Sequence, residues 1–137
     1  MKYIRIFLTV AVIFSFCSAF SFKHKPGKDK EVYAFGMAAS FNDTVVYYTS
    51  IQKLDSVKLG KNGFLPRREA YTSQLKDYLA YNLSSPNYTC MIYFSKNKSK
   101  LEKEEIKVKD KYKSTKSFVL VPIDSTAFKF TKPKENN

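Results

Sequence analysis

Residues 32–41, VYAFGMAASF, alternate in side-chain size along a strand-like run. Successive side chains of a strand point to opposite faces. Tyr33, Phe35, Met37, Ala39 and Phe41 therefore share one face, and Val32, Ala34, Gly36, Ala38 and Ser40 the other. Bulk on one face and almost none on the other leaves room for a helix to come close to the small-residue side, and the segment 71–83 is the helix expected there. Asn42 and Asp43 follow, and both residue types tolerate positive φ and suit a two-residue hairpin turn. Around that turn Ala39 faces Val46 and Met37 faces Tyr48, and Val45, Tyr47, Thr49 and Ile51 lie opposite the small-residue face.

A turn-rich stretch with Gly60, Asn62, Gly63 and Pro66 separates the hairpin from the next periodic segment. In EAYTSQLKDYLAYNL, Tyr71, Leu75, Tyr78, Leu79 and Leu83 recur at three- and four-residue steps, which predicts a helix that Pro86 ends. TCMIYFS at 89–95 is a short apolar run between turn signals and reads as a strand buried on both faces, central in its sheet. Residues 101–113 fit two patterns. Helical spacing lines up Leu101, Glu105, Val108 and Tyr112, whereas strand spacing puts Ile106, Val108 and Tyr112 on one face and Lys107, Lys109, Lys111 and Lys113 on the other. Good helix formers, with early glutamates and later lysines, favour the helix over 101–111. FVLVPI at 118–123 is a further strand with Pro122 near its end, and AFKF at 127–130 is a candidate short edge strand. The resulting fold class is α+β: a mostly antiparallel sheet of four or five strands with two helices packed on one face, in the order β-β-α-β-α-β(-β).

The first residues point to export. Lys2 and Arg5 precede the apolar run 6–16, and Cys17, Ser18 and Ala19 follow, which is the layout of a signal peptide cleaved after Ala19. Cys17 as a lipid acceptor is the alternative, although Phe16 is bulkier than the residue such a signal wants before its cysteine. After cleavage about 118 of the 137 residues remain, enough for one domain with one modest core and no transmembrane segment. The expected organisation is a signal peptide at 1–19, a flexible basic arm at 20–31, a single domain at 32–131 and a disordered tail at 132–137. Cys90 is then the one cysteine left, so no internal disulfide can form. Small exported eukaryotic domains are usually stapled by several, which makes this chain look bacterial, placed in the periplasm, at the cell surface or outside a Gram-negative cell. The N-x-S/T triplets at Asn42, Asn82, Asn87 and Asn97 are on that view chance occurrences in an Asn-rich chain.

Net charge is +12, or +10 without Lys2 and Arg5, so the surface attracts anionic partners. The candidate contact residues are Arg67, Arg68 and Lys76 around the start of the first helix, and Lys107, Lys109, Lys111 and Lys113 further on. The two arginines stand beside a helix start whose free N–H groups also favour anions. Catalytic readings are thinner. His24 is the one histidine, in the basic arm, far from any partner for a triad or a zinc site. Cys90 sits in an apolar run and reads as a small core hydrophobe. No cofactor motif is present, so no cofactor and no metal is expected.

The strings FNDTxVYxT at 41–49, FLxxR at 64–68, YTxQLK at 71–76 and YTC at 88–90 resemble a family of small exported proteins of gut Bacteroidota without assigned activity. That resemblance implies a bacterial, exported, single-domain protein and no catalytic residue. A second resemblance is to the GIY-YIG nucleases: VYA at 32–34 and YYT at 47–49 stand for their two tyrosine motifs, with Arg67 or Arg68 and one of Glu102, Glu104 or Glu105 as the further members. Both motifs lack the glycine. The leading expectation is a non-catalytic binding module for an anionic envelope component or a protein partner. The alternatives are a metal-dependent nuclease and an assembly subunit that pairs through an exposed strand edge.

Overall fold

A computed structural model describes residues 31–135; the expected signal peptide and the basic arm up to residue 30 lie outside the described residues. The elements are β1 (Val32–Ala39), β2 (Val45–Thr49), β3 (Gln52–Leu54), α1 (Arg68–Asn82), β4 (Thr89–Ser95), α2 (Lys98–Ser114) and β5 (Val119–Ile123). This is the α+β order read from the sequence, with the three-residue β3 added before α1 and no strand after β5 among the described residues. The hairpin register also matches, with Met37 opposite Tyr48 and Ala38 opposite Tyr47.

β1 pairs antiparallel with β4 from Tyr33↔Ser95 to Ala39↔Thr89 on one side, and with β2 and then β3 on the other. β5 runs parallel to β2, so the sheet is mixed. The reason is the helix between β4 and β5, since a crossover helix returns the chain in the direction it left. The central strand is therefore β1, and 89–95, expected at the centre, forms an edge. β1 is buried on both faces, whereas in β4 only Ile92 is fully buried.

The two helices take opposite faces rather than one. Val32, Ala34 and Ala38 pack with Tyr71, Leu75 and Leu79 of α1, and Phe35 and Met37 pack with Leu101 and Val108 of α2. β1 carries apolar side chains on both sides, and two helices on the small-residue face would leave Phe35 and Met37 in water. Burying a side chain of that size is worth about 1.5–3 kcal/mol, enough to decide where α2 goes. Its helical form also resolves the ambiguity at 101–113: Asn97 caps it by accepting a bond from Lys100 N at 3.1 Å, and the Leu101–Val108 stripe faces the sheet.

The small-residue face works as expected and adds a constraint. A Cβ at Gly36 would lie 2.7 Å from Leu75 Cδ2 and 3.1 Å from Phe130 Cζ, so any larger residue there would force the Leu75 side chain to shift. Across from it the pairing slips. Between Met37 and Ala34 the chain advances three residues, and between their partners Tyr48 and Gln52 four, which is a β-bulge. At the bulge the Gly36 N–H donates to Thr49 Oγ1 at 2.8 Å, and the Thr49 hydroxyl donates to Ser50 O at 3.0 Å. The slip resets the alternation, so Ile51 joins the α2 face while Gln52 and Leu54 join the α1 face. Ile51 thus leaves the side expected for it, because one extra residue turns every later side chain over.

The AFKF segment is not a strand; its Phe128 and Phe130 are buried on the α1 face. Gln52 replaces a pairing strand there: its Nε2 donates to Phe128 O at 3.2 Å and its Oε1 accepts from Phe130 N at 2.9 Å. Gln74 of α1 does the same at Thr131, donating to its O at 2.8 Å and accepting from its N at 2.9 Å. Two side-chain amides thus satisfy main chain that a sheet would otherwise satisfy.

Thr49→Val should destabilise the fold by about 1–3 kcal/mol, because the buried Gly36 N–H loses its acceptor. Thr49→Ser, which keeps the hydroxyl, should cost less. Urea denaturation of the two variants measures this, and a valine variant no less stable than the serine variant would contradict it.

Candidate functional site

The residues singled out in the sequence do not come together in one place. Arg67 precedes α1 in the left-handed conformation (φ 54°), and its guanidinium donates to Lys134 O. It is committed to the C-terminal segment. Arg68, the first residue of α1, turns instead toward the edge of the sheet. There it lines a groove of about 290 Å³ together with Ile92, Tyr93, Phe94 and Ser95 of β4 and Lys100, Leu101 and Glu104 of α2. Tyr93 forms part of the floor: its ring stacks on Phe35 at 4.8 Å, and burial, helped by nearby Tyr112 and Glu104, raises its phenol pKa.

Lys76 lies further along α1, over a second recess that includes Glu69, Thr72, Ser73, Tyr88, Thr89 and Cys90. Burial pushes the Cys90 thiol up to about 11, against the smaller opposing pull of Lys76. A thiol held there is protonated at neutral pH and a poor nucleophile.

The four lysines of α2 do not share a face. Positions two apart line up on a strand but turn to different sides of a helix. Lys109 is drawn inward, pairing with Glu105 at 2.8 Å and lying 4.0 Å above the Tyr48 ring. Lys107 and Lys111, four apart and exposed, stand on another flank, where Lys100 and Lys103 extend them into one line at three- and four-residue steps. Lys113 falls on the flank of Lys109. Strand spacing picks out every second lysine and passes over Lys100 and Lys103, which helical spacing joins to Lys107 and Lys111.

Of the tyrosines in the two nuclease-like motifs, Tyr33 and Tyr48 share the α2 face and Tyr47 lies on the other. Tyr33 packs on the α2 face and donates to Glu31 Oε2 at 2.8 Å, whereas Tyr47 packs on the α1 face against Tyr88. Of the arginine and glutamate alternatives, Arg67 and Glu105 are committed to Lys134 O and Lys109, while Arg68 and Glu104 line the same groove beside β4. Among the described residues no three or more His, Cys, Asp or Glu side chains are grouped so as to hold a metal ion, and no helix is long and apolar enough to cross a membrane.

One polar pair was invisible in the sequence. The Tyr88 hydroxyl donates to Asp43 Oδ2 at 2.7 Å, while Asp43 Oδ1 accepts from Val45 N at 3.2 Å, so the expected turn residue also ties the β1–β2 loop to the start of β4. The bond from Tyr88 is the main cause that holds the Asp43 carboxyl below its ordinary pKa. Burial, reinforced by the carboxylate, raises the Tyr88 phenol.

Comparison with known protein families, with curated proteins and with solved structures finds no match.

Tyr88→Phe should return the Asp43 pKa toward its ordinary value near ~4. A carboxyl depressed in the folded state stabilises above its unfolded pKa, and that contribution fades as pH falls through the folded value. The stability gap between wild type and Tyr88→Phe should therefore be widest at neutral pH and narrow below about pH 4. Denaturant melts at both ends of that range measure it, and a gap independent of pH would contradict it.

Proposed function

We propose that the protein is an exported, non-catalytic module that binds an anionic polymer or surface of the cell envelope through the exposed flank of α2. The observation that carries this reading is the line Lys100, Lys103, Lys107 and Lys111, all exposed and at helical spacing, with Glu104 and Asp110 as the carboxylates beside it. Over eleven residues of helix the line extends about 16 Å, so it meets several charges of a polymer at once. Single surface charges are screened and weak, but an array facing a polyanion adds up, at about 1 kcal/mol per basic side chain near an anionic membrane.

Three further features support the binding reading. Net charge is strongly positive. The Cys90 thiol is protonated at neutral pH, Tyr47 and Tyr71 are used in packing, and Tyr33 and Tyr88 in hydrogen bonds to carboxylates. The lysines of the line point into water, with Lys109, the one drawn into an ion pair, on a different flank. Export rests on the leader-like residues 1–19.

The test is retention on a heparin matrix and on vesicles containing phosphatidylglycerol, at increasing salt. Wild type should be held at low salt and released as salt rises, and a variant with all four lysines changed to glutamine should bind at least about tenfold more weakly. Retention that ignores salt, or a variant that binds as wild type does, would overturn the proposal.

A further inference from the structure

Among the described residues three strands have an unpaired side, the three-residue β3 and the longer β5 and β4, and the two longer ones are protected differently. β5, at one edge, is five residues long and carries Pro122, which has no N–H to offer a neighbour. β4, at the other, is seven residues long, TCMIYFS, with neither a proline nor a charged side chain. Its inner edge is paired with β1 over its whole length, and among the described residues no strand pairs with its outer edge. A strand presents outward-facing N–H and C=O groups from alternate residues, and an edge of this length without a guard is a template for another strand.

The flanks turn that edge into a slot. Arg68 of α1 and Lys100, Leu101 and Glu104 of α2 rise on either side of Ile92–Ser95, and Glu69 and Lys76 of α1 flank Thr89 and Cys90. We infer that the open edge of β4 takes an extended, acidic segment of a partner protein as an added strand. Main-chain bonds supply affinity in such additions, and the flanking side chains select the sequence. The charges around the slot choose an acidic occupant: Arg68, Lys76, Lys100 and the exposed Lys96 just beyond the strand outnumber Glu69 and Glu104. A second copy of this chain fits poorly, because two molecules of net charge +12 repel.

The inference shares Lys100 with the α2 lysine line but depends on main-chain groups of β4, and the test, which leaves Lys100 in place, separates the two. A seven-residue peptide alternating glutamate and valine is titrated into the protein, with amide resonances followed by NMR. Saturable shifts confined to residues 89–95 and their groove neighbours are expected. A lysine–valine peptide of the same length should bind at least about tenfold more weakly, and methylation of every second peptide nitrogen, which blocks strand pairing, should abolish the shifts. Changing Lys103, Lys107 and Lys111 to glutamine should leave peptide affinity within about twofold while heparin retention falls. Absence of saturable shifts, indifference to N-methylation, or shifts at 89–95 that grow with protein concentration alone and signal self-pairing would each overturn it.

Discussion

The Gly36 N–H lies in the middle of the most buried strand of the molecule, where the regular ladder is interrupted, and it is satisfied by a threonine hydroxyl rather than by a carbonyl. An orphaned donor in that position would cost about 1–3 kcal/mol, a large fraction of what a domain of this size has to spare. Thr49 is completely buried and holds both ends of the arrangement, accepting from Gly36 and donating to Ser50 O. The bulge it stabilises lets one continuous stretch, 45–54, serve as two strands along the same side of β1. It also delivers Gln52 to the face where its amide clasps Phe128 and Phe130. The missing side chain at Gly36 admits Leu75 and Phe130 from that same face. One small residue and one hydroxyl thus decide where the first helix and the C-terminal segment can lie.

The surfaces follow from that core. With α1 occupying the small-residue side, the bulky side of β1 needs its own cover, and α2 supplies it. A helix that packs by Leu101 and Val108 must turn most of its lysines to solvent, which produces the basic flank without further design. The crossover that places α2 also sends β5 to the far side of β2 and leaves β4 at an edge. The lysine flank and the open strand are both by-products of how β1 buries its two faces.

Much of this was legible because it is local. The alternation in 32–41 and in the strand after Asp43 gave the Met37↔Tyr48 register, although the connection is a loop over 40–44 with no positive φ at Asn42 or Asp43, and the Tyr71–Leu75–Leu79 spacing gave the first helix. The small face at Ala34, Gly36 and Ala38 announced the close packing. What stayed hidden depends on partners distant in the chain. The two adjacent polar residues Thr49 and Ser50 break the alternation, but a Thr-Ser pair does not by itself call for an extra residue; the bulge shows only where the Thr49 hydroxyl meets the Gly36 N–H. Gln52 and Gln74 look like ordinary polar residues until Phe128, Phe130 and Thr131 arrive. TCMIYFS read as central because an apolar run resembles a strand covered on both faces, yet two helices can cover the faces of an edge strand as well as those of a middle one. Of the candidate site, Arg68, Lys107 and Lys111 were found from charge, whereas Lys100 and Lys103 required the helix to be known.

Native-state hydrogen exchange at the Gly36 amide reads the strength of the Thr49 arrangement at its buried donor. If this bond to Thr49 anchors the fold, Gly36 exchanges only through global unfolding, with a free energy equal to the stability from denaturant melts and in the slowest class with its β1 neighbours. Exchange at Gly36 as fast as in the 40–44 loop would contradict the account.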